Sequence, residues 1–502
     1  MSVWSLGVVL LLSSHRCTEP PAPEERGNRR PETFLAVDSV RTEQSSQVHV
    51  YWYGDDPDGL VIGFLFSWDF RHWYFTRRND SLFQLRLRRP DSTFRFAVAA
   101  VDNSVVWEPP ADTSMPIPFD DRNGNGRWDP PEEEFRGLEG AVDLSPAVVE
   151  YRVVNTPPQI FWGPDSTPAA AALMRLPDTT FPVATFVFAA YDFDGNETLA
   201  AIEWSLNDSS EAAEWHRIPP TQTMLTLRAA DGLRLNAPNV LYIRAVDRGG
   251  LRSAVLQYPP PDGVWYVKQP AGPILVVEDS FDKRSHQFYQ AALDTIAGGR
   301  YAGRYEFLNI RERGSDGWYR NLPRLLTPMF VETLKLFDVV LWYGDIGLSL
   351  DIPQTVLPGY LAAGGKLIFS APLPNLPTLE DRQKILDFAP LDSLSAQELF
   401  SSPTVFRPGD TLMRTEQALQ QYPRLVKGSG NVVGIHRLFP TAAARSLYLL
   451  PPKSDYEGTP PVVIQSTVDQ QFFLNLPLSA FQRNGGAARL LEHILVEEFQ
   501  VP

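Results

Sequence analysis

The chain changes grammar once, at Gln269-Pro270-Ala271-Gly272-Pro273-Ile274-Leu275-Val276-Val277-Glu278-Asp279-Ser280, and this constrains the fold more than any other feature. Ahead of that stretch, short period-two runs are separated by Gly, Pro, Asn and Asp clusters, the pattern of antiparallel strands and turns. Behind it, unbroken apolar runs alternate with segments of helical spacing, the pattern of an α/β layer fold. A length of 502 residues with 45 prolines and 33 glycines suits several cores joined by many turns. The chain is therefore expected to be multidomain: two all-β sandwich domains, then an α/β doubly wound domain of flavodoxin-like type.

The formal charge of −15 argues against a nucleic-acid or anionic-membrane surface, which needs clustered Lys and Arg, and favours divalent cations as partners. Cys17 is the single cysteine, so neither an internal disulfide nor a Cys-cluster zinc site can form. Residues 3–12 are an apolar run too short to span a bilayer and suited to an export signal. After Cys17 comes Thr18-Glu19-Pro20-Pro21-Ala22-Pro23-Glu24-Glu25, an extended, solvated tether. This order resembles a bacterial lipoprotein, with Ser14-His15-Arg16 where that class carries Leu and small residues. The resemblance implies an export signal over 1–17, lipidation at Cys17, a tether over 18–32 and a secreted or cell-envelope location. Membrane contact would come only through the lipid anchor.

One unit occurs twice, over 33–155 and 156–269. Val48-His49-Val50-Tyr51-Trp52-Tyr53, an acidic turn Asp55-Asp56-Pro57-Asp58-Gly59 and Phe64-Leu65-Phe66-Ser67-Trp68 recur as 184–191, Asp192-Phe193-Asp194-Gly195-Asn196 and Ile202-Glu203-Trp204-Ser205-Leu206. Trp73 recurs as Trp215, and the closing run Ala100-Val101-Asp102 as Ala245-Val246-Asp247. Each copy has the size of a seven-strand sandwich. The Asp-Pro-Asp-Gly turn and the Ala-Val-Asp strand resemble fibronectin type III or immunoglobulin-like domains of bacterial surface proteins, which implies spacer or binding modules. The aromatic run His72-Trp73-Tyr74-Phe75 reads as core rather than as a sugar platform.

The first copy carries an insertion before its last strand, and in it 121–132 fills every position of an EF-hand-type calcium loop. Oxygen ligands are expected from Asp121, Asn123, Asn125, the Arg127 carbonyl, Asp129 and a bidentate Glu132, with Gly126 at the sharp turn. A hard cation wants six to eight such oxygens. Pro130 and the glutamates behind it suit a short exiting helix, whereas Pro116 and Pro118 rule out an entering one. The other acidic turns, Asp55, Asp56 and Asp58 and then Asp192, Asp194 and Asn196, read as ordinary β-turns.

Over 270–502 the runs 274–278, 305–310, 338–343 and 366–370 are expected as strands, with helices between them and a closing helix over 487–499. Phe337-Asp338-Val339-Val340-Leu341-Trp342-Tyr343-Gly344-Asp345 and Gly364-Gly365-Lys366-Leu367-Ile368-Phe369-Ser370 resemble class I glutamine amidotransferase-like domains, including the trehalose-utilisation type. That family implies a Cys in a Gly-rich elbow with His and Glu partners. Here the domain has no Cys, Ser370 is followed by Ala371-Pro372, and neither His436 nor His493 sits in a His-x-Glu pair. The resemblance thus implies the fold without the triad. Glu278, Asp279, Asp282, Tyr343, Asp345 and Ser370 fall at the carboxyl edge of the strands, where open α/β sheets bind ligands.

The expected function is an exported, envelope-tethered binding or scaffold protein, with calcium as its cofactor and a protein or glycan as its partner, rather than an enzyme. The competing expectation is a carbohydrate-active hydrolase or glycan binder using the sheet edge.

Overall fold

The computed structural model describes residues 27–36, 47–85, 91–281, 285–326, 328–345 and 348–502. Cys17, the export signal, most of the tether and Asp282 lie outside the described residues. The chain is multidomain and mostly β, with few helices, and divides into two compact units, 1–156 and 157–502. None of the described helices is long and apolar enough to cross a membrane.

In the first unit seven strands among the described residues form two antiparallel sheets. Glu32–Ala36, Gln47–Asp55 and Asp80–Gln84 make one; Tyr74–Thr76, Val61–Ser67, Asp91–Asp102 and Ala147–Val154 make the other. Counted in order, strands one, two and five pair, as do four, three, six and seven. Six residues in a row, 96–101, are fully buried. Phe96, Val98 and Ala100 turn to the sandwich core with Val50 and Trp52. Ala97, Ala99 and Val101 turn the other way, onto Trp73, Ile117, Trp128, Phe135 and Leu138. The insertion is therefore a second apolar layer on the outer face of the four-stranded sheet, which is why this strand reads as an unbroken apolar run instead of alternating. A Cβ on Gly63 would stand 2.3 Å from the Phe75 ring, so glycine is what lets that ring reach the layer.

The second sandwich repeats this topology. Gln159–Trp162, Val183–Tyr191 and Met224–Arg228 form the three-stranded sheet, and His216–Ile218, Leu199–Leu206, Leu241–Asp247 and Leu256–Tyr258 the four-stranded one. The tryptophan match is only sequential: Trp73 is buried, whereas Trp215 is half-buried and lies under the Arg244 guanidinium at 3.9 Å.

In the same unit an eight-stranded sheet runs Tyr305–Asn309, Ile274–Glu278, Val339–Tyr343, Lys366–Ser370, Gln471–Leu474, Pro461–Ser466, Ala444–Leu449, Met413–Arg414. The first five strands are parallel and the last three antiparallel. Ile274 and Val276 face the helices His286–Thr295 and Gly486–His493. Leu275 and Val277 face Met329–Leu334 and Asp351–Ala362. Period-two strands buried on both faces give continuous apolar runs, as these are. The closing helix is α only to His493 and continues as a π-helical turn, Ile494–Glu498.

Met329 reaches from its helix into the core of the second sandwich, and Phe181 meets Phe337 edge-on at 5.0 Å. Arg228 pairs with Glu332 at 2.8 Å and Arg175 with Asp316 at 2.7 Å. Apolar contacts and ion pairs together join this sandwich to the α/β region.

Candidate functional site

Three of the expected edge residues come together because their strands are in register. Glu278 lies opposite Tyr343, and Tyr343 opposite Ser370, and in-register residues of a parallel sheet point to the same face. The Tyr343 hydroxyl donates to Glu278, and His286 Nδ1 stands 2.6 Å from the same carboxylate oxygen. Tyr343 stacks on Tyr289 at 4.4 Å, and the Tyr289 hydroxyl reaches Ser370 Oγ at 3.4 Å. Burial and the Glu278 carboxylate both raise the Tyr343 phenol, so it stays protonated and donates.

Ser370 is 1% exposed. Its hydroxyl donates to the Leu476 carbonyl at 3.0 Å and accepts from the Leu478 amide at 3.0 Å. Both its proton and a lone pair are engaged with the main chain. Asp345 accepts from the Ser285 amide and hydroxyl, the hydroxyl at 2.6 Å, and that hydroxyl also meets Ser479.

Asp279 does not join them. As the residue after Glu278 it turns to the opposite face, where it accepts from Trp342 Nε1 at 3.2 Å and the Ser349 amide at 3.0 Å, with Arg311 Nε 3.8 Å away. Its burial pushes the carboxyl up to about 7. His286 was missed from sequence. Its position at a helix start carries no mark of a partner eight residues back on a strand.

The insertion loop folds around Asp121. Its Oδ1 accepts from the Gly124 and Asn125 amides and its Oδ2 from Gly126, at 2.7–3.1 Å. Gly126 has φ 71°, the left-handed conformation expected at the sharp turn. The Asn123 and Asn125 amides both donate to Asp129 Oδ2, at 2.8 and 2.6 Å, and hold that carboxyl below the usual range. Arg127 donates its amide to Asn125 Oδ1 at 2.6 Å. Positions one, three, five and nine of the calcium pattern are thus hydrogen-bonded to one another and to the main chain of the loop.

Glu132 is exposed, and residues 130–132 form a turn in place of the expected exiting helix. The turn instead aims Glu133, 1% exposed, at the loop. Its two oxygens accept from the Arg122, Asn123 and Asp129 amides. Among the described residues no three His, Cys, Asp or Glu side chains are arranged to hold a metal ion between them, so amide and main-chain oxygens have to supply part of any donor set.

No family model matches the chain and no curated protein does. It is similar to solved structures of fibronectin(III)-like modules of Clostridium thermocellum CbhA, at 11% identity and TM-score 0.17, covering 47% of this chain and 95% of that one. It is similar to a ThuA-like protein from Bacteroides uniformis, at 12% identity and TM-score 0.28, covering 47% and 93%. A third likeness is to PurLQS from Thermotoga maritima, at 8% identity and TM-score 0.27, covering 44% and 95%. At TM-scores this low they carry no weight for function.

Proposed function

We propose that this chain is a binding or scaffold protein, exported and tethered to the cell envelope through Cys17. Two fibronectin type III-like sandwiches carry a doubly wound, amidotransferase-like domain that has no catalytic role. The observation that supports this reading is Ser370. At the place where the resemblance expects a nucleophile, a buried hydroxyl is held between the Leu476 carbonyl and the Leu478 amide. A serine used this way fixes the chain after the Gln471–Leu474 strand, and among the described residues no His, Asp, Glu or Lys side chain hydrogen-bonds to it.

The calcium loop would use Asp121, Asn123, Asn125, the Arg127 carbonyl and Asp129, with Glu132 or Glu133 closing it. The ion would pin a Pro- and Gly-rich segment that also supplies Trp128 and Phe135 to the apolar layer. Its role is to order the module for a protein or glycan partner.

A hydrolase at the sheet edge is expected to bring Glu278, Asp279 and Asp345 into one pocket, and Asp279, as the strand residue after Glu278, turns to the opposite side onto Trp342 and Ser349. A flat sugar platform needs ring faces turned to solvent. The exposed rings of the first sandwich each give one face to a neighbour, Tyr53 to Phe34 at 4.9 Å and 15° and Tyr51 to His49 at 4.2 Å, and form no shared flat platform with each other. The test is a panel of amide and glycoside substrates with wild type and Ser370→Ala. Turnover that disappears in the variant would overturn the non-catalytic reading.

A further inference from the structure

The segment after the strand Tyr305–Asn309 folds back on itself. The Arg320 amide donates to the Glu312 carbonyl and the Gly314 amide to the Trp318 carbonyl, both at 2.8 Å, with Arg313 opposite Tyr319. Side chains alternate between the two faces of such a hairpin, so Arg311, Arg313 and Tyr319 lie on one of them. Phe281, just beyond the neighbouring parallel strand Ile274–Glu278, meets Arg311 there.

These four side chains form one run of rings and cations. The Arg311 guanidinium lies 4.2 Å from the Phe281 ring centroid and 5.8 Å from that of Tyr319, and the Arg313 guanidinium lies 4.7 Å from Tyr319. Both ends face solvent: Phe281 is 63% exposed, and Arg313 is exposed. The acids of the hairpin are engaged elsewhere, Glu312 with Arg320, and Asp316 with Arg175 and Arg324. The Arg311 side chain is 12% exposed, its Nε is buried with no hydrogen-bond partner among the described residues, and the Asp279 carboxyl stands 3.8 Å from it. Arg313 donates to the Gly317 carbonyl and pairs with no carboxylate among the described residues. A guanidinium with so distant a counter-charge, next to one with none, stands out on a chain of net charge −15.

We propose that this face binds an acidic segment of a partner protein: an Asp or Glu carboxylate takes the fork of Arg313, Arg311 adds its charge, and Phe281 gives apolar contact. Stacking on a ring uses the flat side of a guanidinium and leaves its N–H edge, the geometry that holds a carboxylate through two hydrogen bonds. Tyr319 already carries two guanidiniums and Phe281 one, so the run offers N–H edges more than ring faces, which favours a protein carboxylate over a sugar ring. Arg and aromatic side chains are also what the centres of protein interfaces concentrate. The inference names a partner class for the binding role proposed above and rests on that reading.

The test titrates the full chain into a short fluorescein-labelled oligoglutamate peptide and follows anisotropy, in chelator so that no calcium bridges the two. Wild type should bind, and added salt should release the peptide. Arg313→Gln and Phe281→Ala change exposed side chains, so both should fold, and each should weaken binding about tenfold. Arg313→Lys keeps the charge without the fork and should weaken it less. Arg489→Gln, on the closing helix, should leave it unchanged. No binding by wild type overturns the proposal, and so does an equal loss in Arg489→Gln, the mark of general attraction. Tighter binding of a hyaluronate oligosaccharide overturns it in favour of a uronate glycan. Self-association of wild type that Arg313→Gln abolishes overturns it in favour of a second copy. Any of these leaves the non-catalytic reading standing, because the substrate panel with Ser370→Ala decides that separately.

Discussion

Glu278 and Tyr343 end adjacent parallel strands in register, and the phenol donates to the carboxylate that also meets His286. The phenol and His286 thus engage the Glu278 carboxylate within the protein. Tyr343→Phe should leave a buried carboxylate short of a donor and cost about 1–3 kcal/mol, read as a lower urea midpoint at unchanged slope.

Asp279 gives a pH signature of known sign. Its carboxyl rises from 3.8 to about 7 on folding, so between those values the folded chain holds a proton that the unfolded chain releases. Stability from this group is full below the unfolded value and falls as pH rises through about 7, by on the order of 4 kcal/mol at most. Asp279→Asn should flatten the decline, which chemical denaturation across the window measures.

Two glutamates of the insertion, Glu132 and Glu133, should separate calcium binding from folding. Glu133→Gln weakens a buried acceptor of main-chain amides and should lower the melting temperature with or without calcium. Glu132 is exposed, so Glu132→Gln should leave the calcium-free melt unchanged. If Glu132 swings in on binding, that variant weakens calcium about tenfold or more in a titration; if Glu133 closes the loop, it does not.

Trp128 meets Trp73 edge-to-face at 5.0 Å and Phe135 at 4.6 Å under the insertion. Trp128→Ala should cost about 3–5 kcal/mol in the first unit and reduce the near-ultraviolet dichroism of its tryptophans. A change below 1 kcal/mol would mean that the layer does not support the sheet.

The sandwich repeat was legible because strand alternation and turn residues are local, and Asp-Pro-Asp-Gly against Asp-Phe-Asp-Gly aligns them. The parallel strands were legible as apolar runs. What escaped is tertiary. The insertion reads as a Pro- and Gly-rich loop, and only the pairing of Asp120 and Arg136 amides with the Glu134 and Pro118 carbonyls folds Phe135 under Trp128. Which of three successive glutamates faces the loop depends on the turn over 130–132. Asp192 looks like a solvated turn residue in sequence, since burial by strands distant along the chain leaves no local mark.

Our proposal that the C-terminal region binds without catalysing stands on the engaged hydroxyl of Ser370. A fluorophosphonate probe, which reacts with activated serines, tests it on the native chain, with the modified peptide located by mass spectrometry. The account predicts no modification at Ser370 in the native protein, and the same labelling of the whole chain in wild type and Ser370→Ala. Modification at Ser370, lost on prior denaturation, would contradict it.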